Sequence, residues 1–437
     1  MAYGGGTWLT QNKVLPGTYV NFVSAAAAYV NIADRGYACM GFELDWGPVG
    51  DIFTVENSDF QTNSMKIFGY DYTNKKLDAL RDIFQNAKTV YCYRLNGNGA
   101  VKASNDLAEA KYPGTRGNDI RIVIDNNPDG ESKFDVSTYL DNNLMDIQTV
   151  KLITELKEND YVHWKKSGTL EVTPGKPLAN GTNGNKVDGL AHQTFLEKSE
   201  KYRFNSIGAA VEDETTKKLY IEHTKRMRDE VGIKYQCVLF DIAADYEGVI
   251  NVANECIGEE VNKASAVYWV VGANAGCAIN KSLTNKKYDG SFNIKADYTQ
   301  TELTKGMEAG KFMFHQVDDE IVVLSDINSF TSWDIYKNED FYRNQVVRIV
   351  DQIAMDIAAL FNKRYLGKTR NSNSGRVALW TDITAHHQEL ERIEAIEDFN
   401  PKEVTVREGA DKVSVLVEDF VKPVAVMEKL YMVVEVR

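Results

Sequence analysis

Near its C-terminal end the sequence carries two runs with the period-2 alternation of β-strands. Val413, Val415 and Val417 alternate with Ser414, Leu416 and Glu418, and after Pro423 the residues Leu430, Met432, Val434 and Val436 alternate with Tyr431, Val433, Glu435 and Arg437. The second run is apolar on both faces. Left alone it would present unpaired N–H and C=O groups and bare apolar surface to water, so it must join a sheet. Toward the other end, the stretch from Val14 to Val23, with Tyr19, Val20 and Phe22, is extended in character because Pro16 and Gly17 refuse a helix. Two strand-forming ends suit a chain that donates strands to other copies of itself. The alternative is that both ends pair within their own domain.

At 437 residues, and about 100–200 residues per domain, the chain is long enough for roughly three domains, each with its own core. Its 43% hydrophobic and 26% charged fractions are those of a folded protein. A net charge of −13, from 50 basic and 63 acidic residues, repels phosphate backbones and anionic membranes, so neither nucleic acid nor a bilayer is an expected partner. No apolar run is long enough to span a bilayer, and the first residues have neither the basic nor the apolar region of a signal peptide. Cys39, Cys92, Cys237, Cys256 and Cys277 are scattered without C-x-x-C spacing and read as reduced core thiols.

Along the chain, residues 38–95 begin with a Gly- and Trp-punctuated stretch, then give a short helix through Leu77, Leu80, Ile83 and Ala87 and a strand at 89–95. Residues 100–185 read as strands and turns, a small β domain closed by an Asn/Gly-rich loop at 180–189. From about 190, helices alternate with strands, which argues for a largely parallel sheet with helices on both faces. The strongest helix follows, with Tyr342, Val346, Ile349, Ile353, Ile357 and Leu360 recurring at three and four residues and Gly367 as its stop. A further helix is predicted over 377–396, and then the terminal strands begin.

Motifs for catalysis or ligand binding fail on inspection. Asp125, Asn127, Asp129 and Gly130 match the start of a calcium loop, but its closing position is Val136 rather than Glu, so hairpin-turn chemistry is the better reading. Gly367-Lys368-Thr369 resembles the end of a phosphate loop, yet it follows a helix where a strand is required. His386 and His387 with Glu389 have no third metal ligand at a helpful spacing and read as polar helix residues. There is no G-x-S-x-G elbow and no cysteine in a context that lowers its pKa. No catalytic, cofactor or metal residue is assigned, and the chain is not expected to be an enzyme.

The segment Ala110-Lys111-Tyr112-Pro113-Gly114-Thr115-Arg116-Gly117-Asn118-Asp119-Ile120 resembles a signature of contractile phage tail sheath proteins. In the order expected of that family, Leu15-Pro16-Gly17-Thr18-Tyr19 is similar to its N-terminal arm. Asp326-Ile327-Asn328 with Thr331 is similar to a strand end, and the stretch from Tyr365 to Asn371 with Gly375-Arg376 to a post-helix turn. The resemblance covers nearly the whole chain. It implies a multidomain α/β and β fold: an N-terminal arm (1–23), a first part of the body (24–97), a β-sandwich insertion (98–185), a subtilisin-like α/β domain without catalytic residues (186–332), and an α+β C-terminal domain with extended terminal strands and a strand-donating arm (333–437). Such compact sheaths occur in phages of Gram-positive bacteria and in phage-tail-like bacteriocins.

What the resemblance implies for function is a structural subunit, assembled in the bacterial cytoplasm into six-fold rings stacked helically around an inner tail tube. Baseplate and tail terminator proteins lie at the ends, in a virion tail or a released tail-like particle. The intersubunit strands would involve Val14, Tyr19, Val20, Phe22, Val413, Val415, Val417, Leu430, Met432, Val434 and Val436. Lys363, Arg364, Lys368 and Arg370, clustered after the long helix, are candidates to face the tube; ordinary cation placement at a helix C-terminus is the other reading. Competing classes are an α/β hydrolase-like enzyme, which needs a convergent nucleophile and base, and another self-assembling virion protein.

Overall fold

The computed structural model describes residues 34–436 apart from Asp129 and Glu131. The expected N-terminal strand with Val14, Tyr19, Val20 and Phe22 lies outside the described residues. Two compact units are present: a larger one of residues 34–351 and 425–436, and a smaller one of residues 352–424.

A seven-stranded sheet organises the larger unit, in the order Lys311–Phe312, Val249–Val252, Gln236–Phe240, Ser206–Ala209, Tyr37–Phe42, Thr89–Arg94, Phe53–Glu56. All neighbours run parallel except the last pair. Period-2 alternation sends Ala38, Met40, Val90, Cys92 and Val238 to one face, where they meet Leu80, Ile83, Val267 and Val271 of helices Asp78–Phe84 and Ala266–Gly276. Cys39, Tyr93, Ile207, Cys237 and Leu239 face the opposite way, toward Phe195, Leu196, Tyr220 and Ile221 of helices Gly189–Ser199 and Glu214–Lys225. Covered on both sides, these strands read as continuous apolar runs rather than alternating ones. That is why the stretch beginning at residue 38 hides a central strand, Tyr37–Phe42; the helix Asn57–Phe68 after it went unread because its buried face carries only Phe60, Ser64 and Phe68. All five cysteines are free and buried.

The β-sandwich insertion leaves and re-enters this body side by side: Val101 pairs with Thr182, Ser104 with Ala179, and Gly184 N–H donates to Asn96 O at 3.0 Å. Its main sheet is antiparallel, in the order Asn143–Val150, Phe134–Leu140, Ile120–Asn126, Thr173–Pro177. Two of these strands pair antiparallel as far as Asn126↔Phe134.

The long helix, Asn344–Leu360, begins in the larger unit on a polar footing rather than an apolar one. Arg348 is buried against Asp326 (Nη2···Oδ2 2.5 Å), Asn344 Nδ2 donates to Asp326 Oδ1 at 2.9 Å, and Asp351 takes both guanidinium nitrogens of Arg228 at 2.5 and 2.8 Å. Of the periodic apolar residues, Val346, Ile349 and Leu360 are buried while Ile353 and Ile357 are only half-buried.

In the smaller unit, helix Asn373–Arg392 packs Leu379 and Ile383 against Val404 and the inward face of a hairpin. His386 and His387, read from sequence as polar helix residues, are fully buried. Polar partners make that burial tolerable. His386 Nε2 lies 3.1 Å from Asp356 Oδ2, and His387 Nδ1 lies 2.9 Å from Ile383 O, with its Nε2 2.9 Å from Asp419 Oδ2.

Candidate functional site

The chain has two features that bear on self-association, one in each unit. The first is the hairpin of strands Thr405–Glu408 and Val415–Glu418, paired from Thr405↔Glu418 to Glu408↔Val415. Asp411 Oδ1 shapes the intervening turn, accepting from Val413 N (3.0 Å) and Ser414 N (2.8 Å), and Gly409 N donates to Ser414 O at 3.0 Å. Val406, Val415 and Val417 point inward to the helix, whereas Thr405, Arg407, Leu416 and Glu418 face outward, with Arg407 paired to Glu418. Among the described residues no third strand joins this ladder, so both edges keep unpaired backbone groups. A cleft of about 320 Å³ lies alongside, lined by Phe361, Tyr365, Leu379, Val413 and Val415 with Arg370 and Arg376 among its cations.

The second is the terminal segment. Residues 422–424 still pair with 395–397 in the smaller unit: Glu397 N donates to Lys422 O and Val424 N to Ala395 O, both at 3.0 Å. The chain then enters the larger unit, where Val426 N donates to Gln345 Oε1 at 3.1 Å. Glu428 accepts from Thr284 Oγ1 (2.7 Å), Ser325 Oγ (3.2 Å) and Arg343 Nη1 (2.7 Å). Beyond it, residues 429–436 join no ladder among the described residues. Leu430, Tyr431, Met432, Val433, Val434 and Val436 are between 69% and 93% exposed.

The structure therefore separates the predicted intersubunit residues. Val415 and Val417 are in an intrachain hairpin with their side chains turned inward, Val413 sits exposed at the turn, and Leu430, Met432, Val434 and Val436 lie on the unpaired segment. Of the four cations after the long helix, Arg364 is engaged with Asp382 at 2.9 Å, and the Lys368 ammonium donates to Lys363 O at 2.7 Å. Lys363 and Arg370 are exposed.

Two features were missed from sequence. The strand Thr405–Glu408 has only Val406 as an inward apolar residue, although Gly409 and Asp411 signal its turn. Glu428 had no sequence signal, because its partners come from residues 284, 325 and 343.

The motifs that carried the resemblance are joints. Gly114 has φ 137°, and a Cβ there would lie 1.9 Å from Asp45 O. Arg116 is buried, donates to Gly69 O at 2.7 Å, pairs with Asp119 and Asp141 at 2.8 and 2.6 Å, and stacks on Tyr70. Asn118 exchanges two hydrogen bonds with the Gly181 backbone, at 2.8 and 2.9 Å, tying together the start and end of the insertion. The buried thiols are protonated at neutral pH: burial pushes Cys237 and Cys256 up to about 12.

Comparison with known proteins gives four consecutive family matches. They are the tail sheath protein Gp18 domain III N-terminal region over residues 35–95, the phage tail sheath protein beta-sandwich domain over 96–183, the phage tail sheath protein central domain over 185–329, and the phage tail sheath C-terminal domain over 336–437. The uncharacterized protein YqbK of Bacillus subtilis is 33% identical, with 99% of this chain and 100% of that protein covered. The crystal structure of a sheath tail protein from Desulfitobacterium hafniense superposes with a TM-score of 0.81 at 34% identity, covering 93% of this chain and 96% of the other. At 13% identity, the subunit of the anti-feeding prophage helical sheath in its contracted state shares the fold, with a TM-score of 0.55 over 97% of this chain and 99% of that one. With these matches running from residue 35 to the C-terminal strand region, the chain belongs to the phage tail sheath protein family.

Proposed function

We infer that this chain is a structural subunit of a contractile tail sheath, polymerising helically around an inner tube and contracting to drive that tube through a bacterial envelope. The observation that carries this reading beyond family membership is the segment at residues 429–436, which joins no ladder among the described residues. Six exposed apolar side chains in an alternating run are a standing cost in water, at about 1.5–3 kcal/mol for each large one that burial would relieve. The hairpin at 405–418 offers open backbone edges of the kind such a segment completes.

The segment, and on the same reading the stretch 13–23 with Val14, Tyr19, Val20 and Phe22, adds to the hairpins of neighbouring copies. Val413, Val415 and Val417 belong to the receiving element. Because Glu428 is turned into its own body, the donated run starts at residue 429. Backbone hydrogen bonds worth about 0.5–1.5 kcal/mol each act in parallel across the contact, so the link survives while bodies rearrange. Each copy both gives and receives, a heterologous contact that propagates as an open helix.

The domain organisation in this proposal is arm (1–23), body (24–97), β-sandwich (98–185), subtilisin-like α/β domain without protease function (186–332) and C-terminal domain (333–437). Six-fold rings surround the tube protein, with baseplate and terminator proteins at the ends, and the particle is assembled in the cytoplasm. The chain acts without catalysis: its signature residues are occupied as structural joints, and fold similarity alone confers no activity. Removing residues 429–437 is expected to leave a folded monomer with an unchanged melting temperature that no longer polymerises. Sheaths still forming under the electron microscope would reject the donated strand.

A further inference from the structure

The grip on Glu428 is tighter than a surface ion pair requires. Its side chain is only 16% exposed, and its three donors come from three separate stretches: the loop after helix Ala266–Gly276, the segment that follows strand Glu320–Val323, and the residue just before the long helix. Thr284 Oγ1 donates to Glu428 while accepting from Asp326 N at 3.0 Å. Asp326 is itself fixed by buried Arg348. The clamp is thereby keyed to the buried Asp326–Arg348 pair of the body, and a charge-assisted bond to Arg343 reinforces it.

Its position gives this anchoring a use. Upstream, the chain is last held in the smaller unit at Val424; downstream, only Lys429 separates Glu428 from Leu430, the first exposed apolar residue. We propose that Glu428 is the positioning residue of the donated segment, fixing where it leaves the body and how much slack it has. This rests on the strand-donation reading above.

With the clamp closed, the slack before the donated run is about one residue. Opened, with Val426 still held by Gln345, residues 427 and 428 are added, about 7 Å of extended chain at ~3.3 Å per residue. A short tether of matched length raises the effective concentration of the segment at its acceptor and transmits displacement without lag. A long one lets neighbouring bodies drift. The clamp therefore sets the regularity of the assembled helix, whereas the apolar run sets its affinity.

The test uses the full-length chain with Glu428→Ala, Glu428→Gln and the exchanged pair Glu428→Arg with Arg343→Glu, each assembled and imaged. Expected for Glu428→Ala are a several-fold slower assembly and sheaths with a broader spread of subunit rise and twist than wild type. Glu428→Gln, which keeps an acceptor for Thr284, is expected to fall between the two, and the exchanged pair to recover order in part.

Wild-type assembly rate and helical order in Glu428→Ala would overturn the proposal. So would an exchanged pair that regains melting temperature but no helical order, since that marks a purely structural contact. Failure of the donor reading is separately visible: chains lacking residues 429–437 would still polymerise, whereas the Glu428 variants keep that segment intact.

Discussion

At the scale of single residues, the groups that mark the family are also the ones whose surroundings permit least change. Gly114 combines a left-handed φ of 137° with a backbone oxygen where a Cβ would sit. Gly50, also left-handed at φ 90°, has nothing within 4 Å. The two positions separate conformational strain from overlap. Gly50→Ala is expected to cost about 1 kcal/mol from strain alone, and Gly114→Ala about 2–5 kcal/mol because the chain around Asp45 must also move. Chemical denaturation of the two variants checks this, and equal losses would remove the close approach from the argument. Asp326 and Arg348 show the same logic with charge: each is tolerable inside only because the other is there, so removing one partner leaves an ion without compensation.

At the scale of elements, what was legible in the sequence depended on whether period and burial agreed. The run from Leu430 to Val436, expected from its apolar, β-forming residues to join a sheet, has no strand partner among the described residues and keeps its apolar side chains exposed. Tyr37–Phe42 was not legible, since a strand covered on both sides by helices has no polar face to alternate with. The long helix was found by its apolar period, but Asn344, Arg348, Asp351 and Asp356 are buried alongside Val347 and Ile349, since pairing rather than hydropathy decides their burial. His386 and His387 were misread for the same reason, because Asp356 and Asp419 are 30 and more residues away in sequence. The cations after that helix remain a proposal for the tube-facing surface, narrowed by their partners. Arg364 is paired with Asp382 and Lys368 is tied to a backbone carbonyl that leaves its charge intact, so the charge offered outward comes from Lys368 together with Lys363 and Arg370. Reversing both, Lys363→Glu with Arg370→Glu, is expected to abolish co-assembly with the tube protein at low salt and to change the melting temperature by no more than a degree or two. Unimpaired co-assembly would return these residues to ordinary placement at a helix C-terminus.

At the scale of the whole molecule, three buried titratable groups of the larger unit give its stability a predictable response to acid. Burial holds His192, bonded to Tyr220 Oη at 2.9 Å, down to about 4. Burial, with Arg226 adding repulsion, does the same to His223, also down to about 4. Both imidazoles therefore bind protons more readily in the unfolded chain, where the ordinary value is near 6.5. The stability they contribute is present at neutral pH and is lost as pH falls from about 6.5 toward 4. Asp82 has the opposite sign: burial raises it to about 6, so the folded state holds a proton that the unfolded state releases, and its contribution grows as pH falls through 6. At pH 5 the histidines cost about 1–2 kcal/mol each and Asp82 returns about 1, leaving a net loss of about 1–3 kcal/mol relative to pH 7. The melting temperature of the unassembled subunit is accordingly expected to drop by several degrees between pH 7 and pH 5. In the double variant His192→Gln with His223→Gln, the loss of both titrations should flatten that slope, because Asp82 is then opposed chiefly by His315, which burial also holds below its ordinary value. Calorimetry on both proteins decides it: an undiminished drop in the double variant would assign the acid sensitivity to other groups.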